Sequence, residues 1–92
     1  AEGARPELPK GFSVDRKKSD PRNALLSWQP AKGAYGYNIY YGTAKDKLYH
    51  CITVNGATSY DLRGLDLGTD YYFAIQSLAE TGMSPVSKTI KK

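Results

Sequence analysis

The 92-residue chain has one cysteine, one histidine, one methionine and one tryptophan. A single cysteine excludes an internal disulfide framework, and one cysteine with one histidine cannot complete a four-ligand zinc site, so no metal and no other cofactor is expected. No apolar run approaches the ~20 residues that cross a bilayer as a helix, and membrane insertion is not expected. Charge of one sign is also scarce: 13 Lys and Arg against 9 Asp and Glu leave +4. At 40% hydrophobic and that net charge, the chain is too apolar for intrinsic disorder and long enough for one domain.

The positive charge is dispersed. Arg16, Lys17 and Lys18 are flanked by Asp15 and Asp20, while Lys88, Lys91 and Lys92 fall near the end. No basic stripe alternates with stacking aromatics, so nucleic acid is not an expected partner. The chain opens on Ala1, and residues 1–10 contain no positive start followed by an apolar run. A signal peptide is therefore not expected, and the segment reads as cut from a longer protein.

What the sequence does contain is alternation with period two, interrupted every several residues by Gly, Pro, Asn or Asp, the pattern of short antiparallel strands. Strands are expected at residues 11–14, 24–29, 37–41, 49–54, 59–62, 70–78 and 86–90. Phe12 and Val14 share a face, as do Ala24, Leu26 and Trp28, and Pro30 ends the second strand by removing a ladder donor. Tyr37, Ile39 and Tyr41 oppose Asn38 and Tyr40; Tyr71, Phe73 and Ile75 oppose Tyr72, Ala74 and Gln76. Asn55-Gly56 suits a tight hairpin turn. Seven strands without a helix to cover a parallel sheet imply two antiparallel sheets packed face to face, an all-β sandwich.

The order Pro6-x-x-Pro9-x-x-Phe12-x-Val14, Leu26-Ser27-Trp28, Gly36-Tyr37-Asn38-Ile39-Tyr40-Tyr41 and Leu65-x-x-Gly68-Thr69-x-Tyr71-x-Phe73-x-Ile75 resembles fibronectin type III domains over about Pro6 to Ile90. The resemblance implies an immunoglobulin-like seven-stranded sandwich without the two cysteines of antibody domains. It divides the chain into a linker at residues 1–8, the domain at 9–90 and a tail at 91–92. It implies a core of Phe12, Leu26, Trp28, Tyr37, Ile39, Leu65, Tyr71, Phe73 and Ile75. Trp28 would lie between the sheets and Leu65 would plug one end. Tyr71 would be the corner tyrosine, its hydroxyl bonded to the backbone of the connection containing Leu65.

A narrower likeness concerns residues 40–50, 71–75 and 80–84. These look like fibronectin type III modules appended to secreted bacterial glycoside hydrolases, especially arabinanase and β-xylosidase types. That implies an extracellular, periplasmic or cell-surface setting within a larger secreted protein.

The residues themselves do not compose a catalytic site. His50 and Cys51 are adjacent on a strand and face opposite ways, so they cannot form a dyad. Asp46, Asp61, Asp66, Asp70 and Glu80 are scattered over loops and strand ends, where a glycosidase would need two carboxylates ~5–9.5 Å apart across a cleft. Enzyme activity is not expected of this chain itself.

The remaining constellation is an outward aromatic surface. Tyr40 and Tyr72 face away from the core on neighbouring strands and are expected to form a cross-strand pair, with Tyr49 nearby and Asn38 and Gln76 as polar neighbours. Such a patch is a plain cross-strand pair, a docking surface for a neighbouring domain of the parent chain, or a platform for a polysaccharide. Cys51 is expected to point outward, since Ile52 and Val54 alternate inward. The reading is a monomeric, non-catalytic accessory module, a spacer or docking domain of a secreted bacterial carbohydrate-active enzyme. The alternatives are a carbohydrate-binding module using the exposed tyrosines and a protein-recognition module of a cell-surface protein.

Overall fold

Alternation becomes burial strand by strand. A computed structural model of the chain describes residues 6–16, 19–20 and 22–92. In β2 (Ala24–Ser27), Ala24 and Leu26 are fully buried while Leu25 between them is exposed. β1 (Ser13–Arg16) and β5 (Ser59–Leu62) pair antiparallel on either side of β2 and complete the first sheet. The second sheet centres on β3 (Gly36–Gly42) and β6 (Tyr72–Ala79). β4 (His50–Asn55) lies outside β3, and β7 (Gly82–Met83) and β8 (Ile90–Lys91) lie outside β6. All pairings are antiparallel, and no helix occurs among the described residues.

The inner faces meet in one core. Leu26, Ile39, Phe73 and Ile75 are fully buried, and Trp28, Tyr37, Leu65 and Tyr71 are nearly so. Trp28 lies edge-on to Tyr37 at 5.3 Å between ring centroids. Phe12 departs from its expected place in the core. It precedes β1 and is only half-buried, its ring 6.4 Å from Trp28 at the rim of the sandwich.

Only the strand at 59–62 keeps its expected bounds; those at 37–41, 49–54 and 70–78 shift by one or two residues to 36–42, 50–55 and 72–79, and the larger differences lie at the first, second and last strands. The first strand runs 13–16 rather than 11–14, and the second stops at Ser27, although Trp28 and Gln29 still donate backbone bonds to Thr58 and Lys10. The expected last strand at 86–90 does not form over 86–89: β6 pairs instead with β7 at 82–83 and with β8 at 90–91, and Pro85 between them has no N–H to give a ladder. Serine hydroxyls substitute for backbone there. Ser77 N–H donates to Ser84 Oγ and Ile75 N–H to Ser87 Oγ, at 2.8 and 2.9 Å. The N–H groups of Ser84 and Ser87 in turn donate to the carbonyls of Ser77 and Ile75. The last lane of the sheet thus stays hydrogen-bonded through a stretch that is not regular strand.

Residues 1–5 of the expected linker lie outside the described residues. Within the rest, Pro6 is buried and the Glu7 carbonyl accepts a 2.7 Å bond from the fully buried Ser77 hydroxyl, so residues 6–8 pack on the domain. At the other end of β6, Lys92 and Tyr71 exchange both backbone hydrogen bonds, which makes the expected tail part of the sheet. The chain thus meets the sandwich at one end of β6 and leaves it at the other.

Candidate functional site

Register places the outward residues of the second sheet together. Asn38 faces Thr53 on one side and Gln76 on the other; Tyr40 faces Cys51 and Ala74; Gly42 faces Tyr72. Directly opposed residues share a face, so all of these lie on the side away from Ile39, Phe73 and Ile75.

They are bound to one another. Thr53 Oγ1 donates to Asn38 Oδ1 at 2.8 Å, and Asn38 Nδ2 donates to Gln76 Oε1 at 3.1 Å. The Tyr40 hydroxyl also donates to Gln76 Oε1, and Gln76 Nε2 donates to the Ser84 carbonyl at 3.0 Å. The network fixes four side chains across β4, β3 and β6. It also corrects the placing of Gln76 on the accessible surface: the residue is 6% exposed, enclosed by Tyr40, Asn38 and the Ser84 backbone.

The tyrosines do not form the expected array. Tyr72 stands opposite Gly42, not Tyr40, so the two half-buried residues are diagonal, and no ring contact joins them. A Cβ on Gly42 would run into the Lys47 carbonyl and stand 3.0 Å from Leu48 Cα. The loop after β3 therefore folds onto the sheet face beside Tyr72, and glycine is needed there because nothing larger fits. Tyr49 is 81% exposed, ahead of β4, with no aromatic neighbour. Cys51 is exposed. His50 faces the other side, its ring stacked 4.8 Å from Tyr41.

Two features escaped the sequence reading. Tyr35, 56% exposed, walls a pocket of about 260 Å³ with Pro30, Ala34, Tyr37 and Thr58. The strand begins one residue later, at Gly36, so alternation does not orient Tyr35. The other is Arg16, read from sequence only as one of a group of charges. Its guanidinium donates to the carbonyls of Thr69, Lys92 and Asp66 at 2.9, 3.2 and 3.3 Å, and sits 5.4 Å above the Tyr71 ring. The Asp66 N–H meanwhile donates to the Tyr71 hydroxyl at 2.9 Å, so that phenol closes the connection containing Leu65 while its ring stays in the core.

Among the described residues, two groups titrate away from their usual values. Burial raises the Tyr41 phenol, and the neighbouring Tyr60 and Tyr71 add to the effect. The side-chain hydrogen bond from Arg22 lowers the Asp20 carboxyl, against opposing desolvation.

A model of the fibronectin type III domain matches residues 7–92. The chain belongs to the fibronectin type III family. This fibronectin type III domain is 34% identical to neogenin of Rattus norvegicus over 91 residues and 32% identical to human netrin receptor DCC over 98, covering 90% and 97% of the chain. It spans about 7% of the length of those relatives. It is also 36% identical over 58 residues to amylopullulanase of Thermoanaerobacterium saccharolyticum, a match that takes in 62% of the chain and 4% of that protein. Among solved structures, an Fn3-like protein from Clostridium thermocellum superposes with a TM-score of 0.83 at 28% identity, covering 96% of this chain and 92% of that one. Fibronectin type III domains are generally non-catalytic and occur in extracellular and cell-surface proteins.

Proposed function

We propose that this domain is a non-catalytic accessory module, a spacer or docking domain within a secreted bacterial carbohydrate-active enzyme, and that its neighbour in the parent chain docks on the outer face of the second sheet. The observation that carries the reading against sugar binding is the Asn38–Tyr40–Thr53–Gln76 network. A sugar platform needs coplanar exposed rings with free polar groups beside them. Here the polar groups are consumed internally, Tyr40 and Tyr72 are diagonal and half-buried, and Tyr49 stands apart. The partial likeness to amylopullulanase supports the enzyme setting. The longer matches to neogenin and to a protein named as a netrin receptor favour a second reading, a recognition module of a cell-surface protein.

Titration of xylo-, arabino- and malto-oligosaccharides, followed through backbone amide shifts, tests the sugar question. The expected result is no saturable shift at Tyr40, Tyr72 or Tyr49 up to millimolar ligand. Saturation at sub-millimolar sugar would replace the docking reading with a carbohydrate-binding one. Shifts on the same face in a two-domain fragment carrying the adjacent domain of the parent chain would support docking.

A further inference from the structure

The two sheets have four outer edges, and three of them carry features that deter another strand. β1 bears Asp15 and Arg16, and β5 bears Asp61. The β7 and β8 edge consists of two-residue strands separated by a segment with Pro85 and Lys88, and β8 carries Lys91. Short strands, charges and proline are the usual means by which natural sheets keep their edges single. β4 has none of them. His50-Cys51-Ile52-Thr53-Val54-Asn55 has no lysine, arginine, carboxylate or proline, is rich in β-branched residues, and pairs on one side only, with β3. Among the described residues, no further backbone hydrogen bond reaches it.

We infer that β4 is a strand-pairing edge and that its occupant is β4 of a second copy of this chain, antiparallel. Extending one sheet through both copies with core faces on the same side requires residues of equal parity to oppose, because successive side chains alternate. A two-fold axis at Ile52 satisfies this. It sets Cys51 against Thr53 of the second copy, His50 against Val54, and Ile52 against itself. The nearest charges outside the strand, Asp46 and Lys47, then oppose Thr58 and Ala57, so no like charges meet at any point along the contact. The same operation brings the two Thr53–Asn38–Gln76 networks onto one continuous face. Six residues span only ~20 Å, so the interface is small and the association weak, which distinguishes this dimer from the monomer expected on sequence.

Sedimentation equilibrium in the presence of reductant, from about micromolar to about millimolar protein, tests the inference. The weight-average mass is expected to rise above 10.1 kDa toward twice that value, with concentration-dependent amide shifts concentrated in residues 50–55. Cys51→Lys, at an exposed site without partners, is expected to weaken association about tenfold by adding the charge the edge lacks. Cys51→Ser is expected to leave it unchanged. A constant monomer mass throughout, a dimer that vanishes with reductant or in Cys51→Ser, or shifts centred on any other edge would each overturn it.

Discussion

Tyr71 and Tyr72 are neighbours with the same phenol and different work to do. The Tyr71 hydroxyl is the acceptor for a partly buried backbone N–H at Asp66, whereas Tyr72 makes no side-chain hydrogen bond among the described residues. Tyr71→Phe should therefore cost about 1–3 kcal/mol and Tyr72→Phe almost nothing, read from denaturant midpoints; equal losses would refute the assignment. Tyr41 makes a prediction in pH. Burial raises its folded pKa above the unfolded value near 10. The folded state then holds the proton longer than the unfolded state does. The associated stability is fully present below pH ~10 and is lost as pH rises through the raised folded value. Tyr41→Phe should flatten the alkaline limb of a stability profile and remove a late-titrating component from the phenolate absorbance.

At the scale of elements, the loop after β3 and the end of that strand depend on each other. A methyl on Gly42 meets backbone, the Lys47 carbonyl, which cannot move without lifting the Ala44–Lys47 turn off the sheet. A methyl on Gly36 meets chiefly the tip of the Asn55 side chain, which can rotate away, and stands 3.1 Å from the Val54 carbonyl, a tight contact but not an overlap. Gly42→Ala should cost about 1–3 kcal/mol and Gly36→Ala distinctly less, by thermal unfolding. Much of the architecture was readable in advance because side-chain alternation and core burial have the same cause. Trp28, Ile39, Phe73 and Ile75 sit on faces that period two alone selects. The site was less readable. Which outward residues meet depends on register between strands far apart in sequence, and nothing local says that Tyr72 falls opposite Gly42 rather than Tyr40. The burial of Gln76 required knowing that Ser84 would come back alongside it. The break in the last lane of the sheet could have been anticipated from Pro85, but its repair by Ser84 and Ser87 hydroxyls could not, since a serine reads the same whether it caps, bonds or faces water.

At the scale of the whole molecule, the domain is elongated, 46 × 25 × 17 Å, with a radius of gyration of 13.3 Å. Its N-terminal approach is part of its stability: Pro6 and Pro9 are buried and Glu7 supplies the acceptor for Ser77. A chain starting at residue 9 should lose about 1–3 kcal/mol relative to the full one in denaturant titration, because a buried hydroxyl is left without its partner. The chain comes in beside Ser77 and leaves beside Tyr71, six residues away along β6, a separation of roughly 20 Å in an extended strand. Tension applied through the two ends therefore runs along the strands and across their hydrogen bonds. The Tyr71–Lys92 pair and the Arg16 grip on Lys92, Thr69 and Asp66 take the load together at one pole, whereas the Glu7–Ser77 bond takes it at the other. Under pulling, the domain should yield first at Glu7 and hold longest around Arg16, giving a tether with a soft end and a hard one.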